Sequence, residues 1–139
     1  MSVLLNGTVT FLFTDIEGST RRWDSDRAAM SAALARHDAL LRRVIESVGG
    51  SVFKTVGDAF CAVFDSAADG VAAALAAQRS LAAEDWSVFG ADFAPLRVRM
   101  ALHAGEAEAR DGDWFGPPLN RVSRLLAAGH GGQVLLSGA

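Results

Sequence analysis

The chain has 139 residues, 50% of them hydrophobic, and it carries 16 acidic against 13 basic side chains. A chain of this length buries roughly 68% of its unfolded surface, so one domain can form a stable core without disulfides or a structural metal. The net charge of −3 and the lack of any lysine or arginine run argue against a nucleic-acid partner.

The sequence carries no sign of export or membrane insertion. No apolar stretch approaches the roughly 20 residues that cross a bilayer, and residues 1–7 lack the charged and apolar parts of a secretion signal. Cys61, the only cysteine, lies in an apolar run and is interpreted as a buried core residue in a reducing compartment. We therefore expect a cytoplasmic protein with no membrane partner.

The first predicted element is a strand that ends in a carboxylate. Val9, Phe11 and Phe13 alternate with their neighbours at the two-residue period of a strand, and Asp15 follows on the phenylalanine side. Residues 16–20 are typical of a turn. We therefore expect Asp15 at the tip of this strand.

A long helix and a hairpin follow. Apolar residues at helical spacing predict an amphipathic helix from about Ala28 to Val48, and Gly49-Gly50 supplies the left-handed stop. Two β-rich runs, Ser51 to Val56 and Ala59 to Phe64, are separated by Gly57-Asp58. This pattern predicts a hairpin whose turn carries the Asp58 carboxylate.

The rest of the chain alternates between helices and strands. A helix capped by Ser66 runs to Ala83, and a loop precedes a strand that begins at Leu96 and continues to Leu102. A third helix runs from Pro117 to about Ala128, and Val134 to Leu136 forms a last strand. The order predicts an α+β fold: a ferredoxin-like βαββαβ core with an extra C-terminal helix and strand. We expect a mainly antiparallel sheet with the helices packed on one face.

Two carboxylates are candidates for a metal site. In a split βαβ arrangement the first strand and the hairpin are neighbours, so Asp15 and Asp58 can converge on one edge of the sheet. Paired hard oxygens suit Mg²⁺ or Mn²⁺. The alternative is that each aspartate is a turn residue that bonds its own backbone.

Lys54 is the only lysine, since the other 12 basic residues are arginines. A lysine is a compact donor that can approach a single acceptor atom, such as a purine ring nitrogen. The alternative is a surface lysine without a specific role. Asp113, which precedes two aromatic residues, is interpreted as a turn acid followed by core aromatics.

Asn120 and Arg124 are four residues apart in the third helix and therefore share a face. An amide and a forked guanidinium could together hold a sugar-like or anionic group, although such pairs often serve solubility alone. Arg121 lies elsewhere on the helix surface. The three histidines lack metal-ligand spacing and receive no chemical role, and His37 is predicted to pack in the core.

Three segments strongly resemble the class III nucleotidyl cyclase catalytic domain, most of all the compact bacterial adenylyl cyclases. They are FLFTDIEGST at 11–20, KTVGD at 54–58 and DWFGPPLNRVSR at 113–124. The resemblance extends from about Gly7 to Ser137. It implies a single catalytic domain over 1–139 that lacks the family's C-terminal segment.

The resemblance implies a role for each candidate residue. Asp15 and Asp58, with the backbone carbonyl of Ile16, would hold two Mg²⁺ or Mn²⁺ ions. The substrate-facing roles divide among four side chains. Adenine would be selected by Lys54 and Asp113, the ribose positioned by Asn120, and charge on the α-phosphate stabilised by Arg124.

Relatives also have a lysine that contacts the terminal phosphates, and it lies in the segment that this sequence lacks. Arg21 or Arg22 could compensate, although both are interpreted as solvated residues at the start of a helix.

The expected partners are ATP and a second copy of the chain. Family members form head-to-tail homodimers, which implies that Asp15 and Asp58 of one subunit meet the substrate-binding residues of the other. The implied reaction is cyclisation of ATP to 3′,5′-cyclic AMP and pyrophosphate. Two alternatives remain: a non-catalytic module that binds nucleotide or dimerises, and a guanylyl cyclase.

Overall fold

The computed structural model describes residues 6–138. Within this range six strands form one sheet: β1 (Asn6–Ile16), β2 (Ser51–Val56), β3 (Ala59–Phe64), β4 (Val98–Arg110), β5 (Asp113–Phe115) and β6 (Val134–Leu136). The helices are α1 (Ser19–Ser25), α2 (Arg27–Ser47), α3 (Ala67–Ala83) and α4 (Pro117–Ala127), with a 3₁₀ turn at Trp86–Phe89. Across the described part of the chain, no helix has both the length and the apolar character needed to span a membrane.

The sheet has the strand order β2-β3-β1-β4-β5, and the short β6 pairs with β4. The β4–β6 pair is parallel, and the other four pairs are antiparallel. The central strand β1 therefore lies between the hairpin and β4, as the split βαβ prediction requires. This α+β architecture confirms the predicted fold class.

The core lies on both faces of the sheet, so the prediction that all helices share one face is wrong. Alternate residues of β1 explain why. Leu12 and Ile16 belong to the core under α2 and α3, whereas Phe11 packs with Val122 of α4 on the opposite face. Phe11 is fully buried, with its ring centroid 5.6 Å from that of Trp114. Truncating such a ring to alanine costs roughly 3–5 kcal/mol.

Turn and cap chemistry fixes the predicted boundaries. Gly49 and Gly57 adopt φ values of 81° and 60°, the left-handed conformation that ends α2 and closes the β2–β3 hairpin. The Ser66 hydroxyl accepts a hydrogen bond from the backbone N–H of Asp69 at 3.2 Å, which caps α3. These three predictions are confirmed.

The sequence predicted a turn over residues 16–20 and the long helix only from about Ala28, so α1 was not predicted as an element, although Arg21 and Arg22 were interpreted as residues at the start of a helix. This helix has seven residues, none of them buried, so it carries no apolar period. Arg22 attaches it to the body of the protein by donating to the carbonyls of Ala94 and Pro95, both at 2.8 Å. Tertiary contact, not local periodicity, therefore holds this segment in place.

The strand β4 is longer than predicted and continues to Arg110, because its second half pairs with the start of β1 and with β5. Asp111 and Gly112 both have positive φ, which suits the tight turn between β4 and β5. In β5 Trp114 is buried, as predicted. Phe115 is 42% exposed, so the prediction that it is a core residue is wrong.

Candidate active site

Two clefts are lined by six of the seven candidate residues, and the seventh, Asp113, is hydrogen-bonded to Lys54 in one of them. The larger, here the α4 cleft, has a volume of about 790 Å³. Its lining includes Phe13, Lys54, Val56, Cys61, Trp114, Asn120, Arg121 and Arg124. The smaller, here the carboxylate cleft, has a volume of about 600 Å³ and is lined by Asp15, Ile16, Gly18, Ser19, Thr20, Arg21, Asp24, Asp58 and Arg99.

Lys54 and Asp113 form an ion pair at the α4 cleft. Nζ of Lys54 donates to Oδ2 of Asp113 at 3.0 Å, and the other carboxylate oxygen accepts from the Trp114 backbone N–H at 2.7 Å. Partial burial tends to raise the pKa of Asp113, but these hydrogen bonds outweigh it and lower the pKa below its usual value. The pair therefore presents a fixed cationic donor next to a fixed anionic acceptor.

Asn120 and Arg124 both face the α4 cleft, in agreement with their predicted shared face. Both side chains belong to exposed residues, so they are free to meet a ligand from solvent. Arg121 was placed elsewhere on the helix surface by its spacing, yet it also lines this cleft.

The floor of the α4 cleft is apolar and includes the thiol of Cys61. This residue is only 6% exposed, and burial raises the pKa of its thiol to about 11. The thiol is therefore neutral near pH 7 and offers an apolar contact, in line with the predicted buried cysteine.

The structure brings Asp15, Ile16 and Asp58 together in the carboxylate cleft, as predicted. Oδ1 of Asp58 accepts from the backbone N–H of Ile16 at 3.5 Å, across 42 positions of the sequence. Asp58 therefore contacts the end of β1. The alternative interpretation requires a hydrogen bond from Asp58 to the backbone of its own turn, which is a different interaction. The hairpin turn and the tip of β1 form one surface.

Arg99 is a component of this cleft that the sequence analysis missed. It lies directly opposite Asp15 on the neighbouring strand β4. Its Nε donates to Oδ1 of Asp15 at 2.7 Å, and its Nη2 donates to the other carboxylate oxygen. The Asp15 carboxylate raises the pKa of this guanidinium, with further contributions from Glu17 and Asp58. The side-chain alternation of β4 was visible in the sequence, but the register that pairs it with β1 was not.

The donor set of the carboxylate cleft fits a hard divalent cation. Magnesium is commonly held by one or two protein carboxylates together with substrate phosphates and water. Within residues 6–138 no group of three or more His, Cys, Asp or Glu side chains is arranged to hold a metal ion. The predicted ligands in the cleft are the carboxylates of Asp15 and Asp58 and the carbonyl of Ile16, and Asp24 also lines it. The Arg99 guanidinium that pairs with Asp15 places a positive charge in this cleft, so a metal ion there would have to compete with it.

The two clefts lie on the same side of the sheet but are lined by separate residues. Phe13 in one and Asp15 in the other are two positions apart on β1 and project to the same face. Among the described residues, Lys54, Asn120 and Arg124 line the α4 cleft and are not part of the carboxylate cleft.

Comparison with known proteins identifies the family. Residues 3–139 match the family model of the adenylate and guanylate cyclase catalytic domain. The chain therefore belongs to this family, the class III nucleotidyl cyclases. This confirms the resemblance carried by the three sequence segments.

Relatives in sequence include proteins much longer than this chain. An uncharacterized protein of Mycobacterium tuberculosis is 40% identical over 135 residues, which cover 96% of this chain and 44% of that protein. An adenylate cyclase of Podospora anserina is 34% identical over 152 residues, which cover 94% of this chain and 7% of that protein. The chain thus spans less than half the length of these relatives.

Solved structures show the same fold. An adenylate cyclase from Trypanosoma brucei, described in its monomeric state, has a TM-score of 0.86 at 27% identity, covering 96% of this chain and 74% of that one. The adenylyl cyclase CyaB from P. aeruginosa has a TM-score of 0.81 at 24% identity, covering 96% of this chain and 78% of that one.

Proposed function

We propose that this chain is the catalytic domain of an adenylyl cyclase, which converts ATP into 3′,5′-cyclic AMP and pyrophosphate. The observation that carries the proposal is the Lys54–Asp113 pair at 3.0 Å on the α4 cleft. The adenine edge offers a ring-nitrogen acceptor next to an exocyclic amine donor, which complements a lysine donor and a carboxylate acceptor. The similarity to adenylate cyclases of Podospora anserina and Mycosarcoma maydis supports the same substrate.

Asn120 and Arg124 are proposed to act on the sugar and the α-phosphate. The amide of Asn120 would hold the ribose so that its 3′-oxygen faces the α-phosphorus, and Arg124 would stabilise the charge that develops on the α-phosphate oxygens. The bond between the 3′-oxygen and the α-phosphorus forms as the bond to the bridging oxygen breaks. Pyrophosphate leaves, and the hydroxyl proton passes to solvent.

The carboxylate cleft is proposed to hold two Mg²⁺ or Mn²⁺ ions through Asp15, Asp58 and the carbonyl of Ile16. Such ions supply Lewis-acid charge that lowers the pKa of the attacking hydroxyl and neutralises phosphate oxygens. A cation held by Asp15 would compete with Arg99, whose two hydrogen bonds go to that carboxylate. A guanidinium displaced in this way would have the forked geometry that matches phosphate oxygens.

Arg99 therefore supplies a candidate for the terminal phosphates that the sequence analysis did not find. Of the two arginines considered for that task, Arg22 donates to the carbonyls of Ala94 and Pro95 and is committed there. Arg21 lines the carboxylate cleft and stays available.

A head-to-tail homodimer is proposed to complete the site. The two sets of candidate residues line separate clefts in one chain, so a second copy can bring the carboxylate cleft of one subunit against the α4 cleft of the other. Val56 and Phe115 line the α4 cleft and are 62% and 42% exposed, which suits burial against another chain.

The test is to incubate the purified chain with ATP or GTP and Mn²⁺ at several protein concentrations and to quantify both cyclic nucleotides. The proposal predicts cyclic AMP, a specific rate that rises with protein concentration, and loss of product in Asp58→Ala. Cyclic GMP as the main product would identify a guanylyl cyclase instead. Thermal stabilisation by ATP without turnover would identify a binding module.

A further inference from the structure

Helix α1 forms one wall of the carboxylate cleft. Five residues that line this cleft belong to α1 or to its N-cap: Gly18, Ser19, Thr20, Arg21 and Asp24. None of the seven residues of α1 is fully buried, so core packing holds this helix only weakly. The position of the wall therefore depends on the specific contacts that α1 makes with the rest of the protein.

Arg22 makes the polar contacts of this kind. Its Nη2 atom donates to the backbone carbonyls of Ala94 and Pro95, both at 2.8 Å. Its guanidinium carbon lies 4.9 Å from the ring centroid of Phe93, a distance typical of a cation–π interaction. One side chain of α1 thus contacts three consecutive residues of the segment before β4. We call this arrangement the Arg22 clamp.

The segment that the clamp contacts is itself fixed to the core. The rings of Phe93 and Phe89 pack with 5.8 Å between their centroids, and those of Phe89 and Trp86 with 5.8 Å as well. Trp86 is buried, and its Nε1 donates to the Leu81 carbonyl at 3.0 Å. The clamp therefore joins α1 to a part of the molecule that does not move freely.

The side of α1 that lines the cleft carries groups that suit phosphate oxygens. Arg21 is an exposed guanidinium, and Ser19 and Thr20 have hydroxyl groups. They line the same cleft as Asp15 and Asp58, the proposed metal ligands. A ligand that needs both sets at once binds with an affinity reduced by the fraction of molecules in which α1 is out of place.

We propose that Arg22 is a positioning residue, and that its clamp holds α1 where Arg21 and its neighbours meet the terminal phosphates of the nucleotide. This inference rests on the proposed function, which places the triphosphate and its metal ions in the carboxylate cleft. Arg22 then acts on phosphate binding through α1, without contacting the phosphates itself.

Two probes separate this role from a general loss of structure. Inorganic tripolyphosphate with Mn²⁺ reports the carboxylate cleft, and AMP, which lacks the terminal phosphates, reports the α4 cleft. Binding of both is measured by isothermal titration calorimetry. Hydrogen exchange of the α1 amides reports the clamp directly. Trp23 still packs against the core in an Arg22→Ala variant, so we expect that variant to fold.

Three further variants provide the controls. Phe93→Leu removes the aromatic ring but leaves the Arg22 charge in place. Arg22→Lys keeps the charge and can still donate to both carbonyls. Arg36→Ala is the matched control, because Arg36 also makes two hydrogen bonds between elements, to Glu84 at 2.9 and 2.8 Å, and carries the same charge outside α1.

We expect Arg22→Ala to speed exchange of the α1 amides and to weaken tripolyphosphate binding by about tenfold, as when about a tenth of the molecules keep α1 in place. Phe93→Leu should weaken it about threefold, in line with an exposed cation–π contact. Arg22→Lys should restore most of the affinity, and Arg36→Ala should change neither exchange nor binding. AMP affinity should stay constant in all four variants.

Three results would overturn the proposal. Unchanged α1 exchange in Arg22→Ala would show that the clamp does not hold the helix. Faster exchange with unchanged tripolyphosphate affinity would remove the phosphate-positioning role. Weaker binding in Arg22→Ala but wild-type binding in Phe93→Leu would show that Arg22 acts through its charge and not through the placement of α1.

Failure of the underlying function has a separate signature. If the wild type and Asp58→Ala bind tripolyphosphate and Mn²⁺ equally, the carboxylate cleft does not hold the metal and phosphates, and the positioning role fails with it. Exchange of the α1 amides in Arg22→Ala would still decide whether the clamp holds the helix.

Discussion

Arg99 holds both carboxylate oxygens of Asp15 from the position directly opposite on the adjacent strand. The proposed metal ligand thus already has a cationic partner when nucleotide and metal are absent. A divalent ion at Asp15 has to compete with this guanidinium. The pair is therefore expected to raise the concentration of Mg²⁺ or Mn²⁺ that the free chain needs to bind a metal ion at Asp15.

Replacing Arg99 with alanine should tighten Mn²⁺ binding to the nucleotide-free chain by about fivefold, because a partly exposed ion pair contributes roughly 1 kcal/mol. The measurement is a Mn²⁺ titration followed by electron paramagnetic resonance. Arg97→Ala is the matched control, since Arg97 lies just before the same strand and makes no ion pair with Asp15. Equal affinity in wild type and Arg99→Ala would show that the guanidinium does not compete with the metal.

The Lys54–Asp113 pair should determine base preference. Lys54→Glu removes the donor and places two carboxylates side by side, so the ratio of kcat/KM for ATP to that for GTP should fall at least about tenfold, as for the loss of a base-specific contact. The ratio is measured by quantifying cyclic AMP and cyclic GMP. Arg79→Glu, the same kind of charge reversal on α3, should leave the ratio unchanged. An unaltered ratio in Lys54→Glu would remove the base-reading role.

Arg124 and Arg121 line the same cleft but should contribute differently to the reaction. Arg124→Ala should lower kcat by about 10²–10³, the usual effect of removing one donor that stabilises transition-state charge. Arg121→Ala is the control on the same helix and should lower kcat much less. If the two variants lose activity equally, the α-phosphate role does not belong to Arg124 alone.

The buried thiol of Cys61 should make stability depend on alkaline pH. Its pKa is raised from 9.0 to about 11 by burial, so the folded state favours the neutral thiol. This contribution is fully present below pH 9 and is lost as the pH rises toward 11, because the unfolded thiol ionises first. Urea unfolding at pH 8 and pH 10 should show a larger loss of stability for the wild type than for Cys61→Ala. An equal loss in both proteins would contradict the buried neutral thiol.

Local sequence signals predicted the parts of the site that lie on regular elements. The alternation of Phe11 and Phe13 placed Asp15 on the correct side of β1, and the Gly57-Asp58 turn placed the second carboxylate beside it. The four-residue spacing of Asn120 and Arg124 likewise placed both on one cleft. These inferences depend only on periods of two and 3.6 residues and on turn chemistry.

The features that the sequence did not predict depend on strand register and tertiary contact, which the periodicity of apolar residues does not encode. Arg99 faces Asp15 only because β4 pairs with β1 in one particular register. The pairing of Lys54 with Asp113 joins residues 59 positions apart, and only the family resemblance connected them. The second half of β4 contains Ala104, Gly105, Ala107 and Ala109, which have low strand propensity. The sequence therefore did not predict that β4 continues to Arg110.

The central claim is that the carboxylates of one copy and the α4 cleft of another form a single cyclase site. Asp58→Ala and Arg124→Ala should each be nearly inactive alone, because every site of either homodimer carries a defect. After equimolar mixing and exchange, each mixed dimer has one intact site, so cyclic AMP production should recover to about a quarter of the wild-type rate. Activity no greater than the sum of the separate variants would contradict a site shared between two copies.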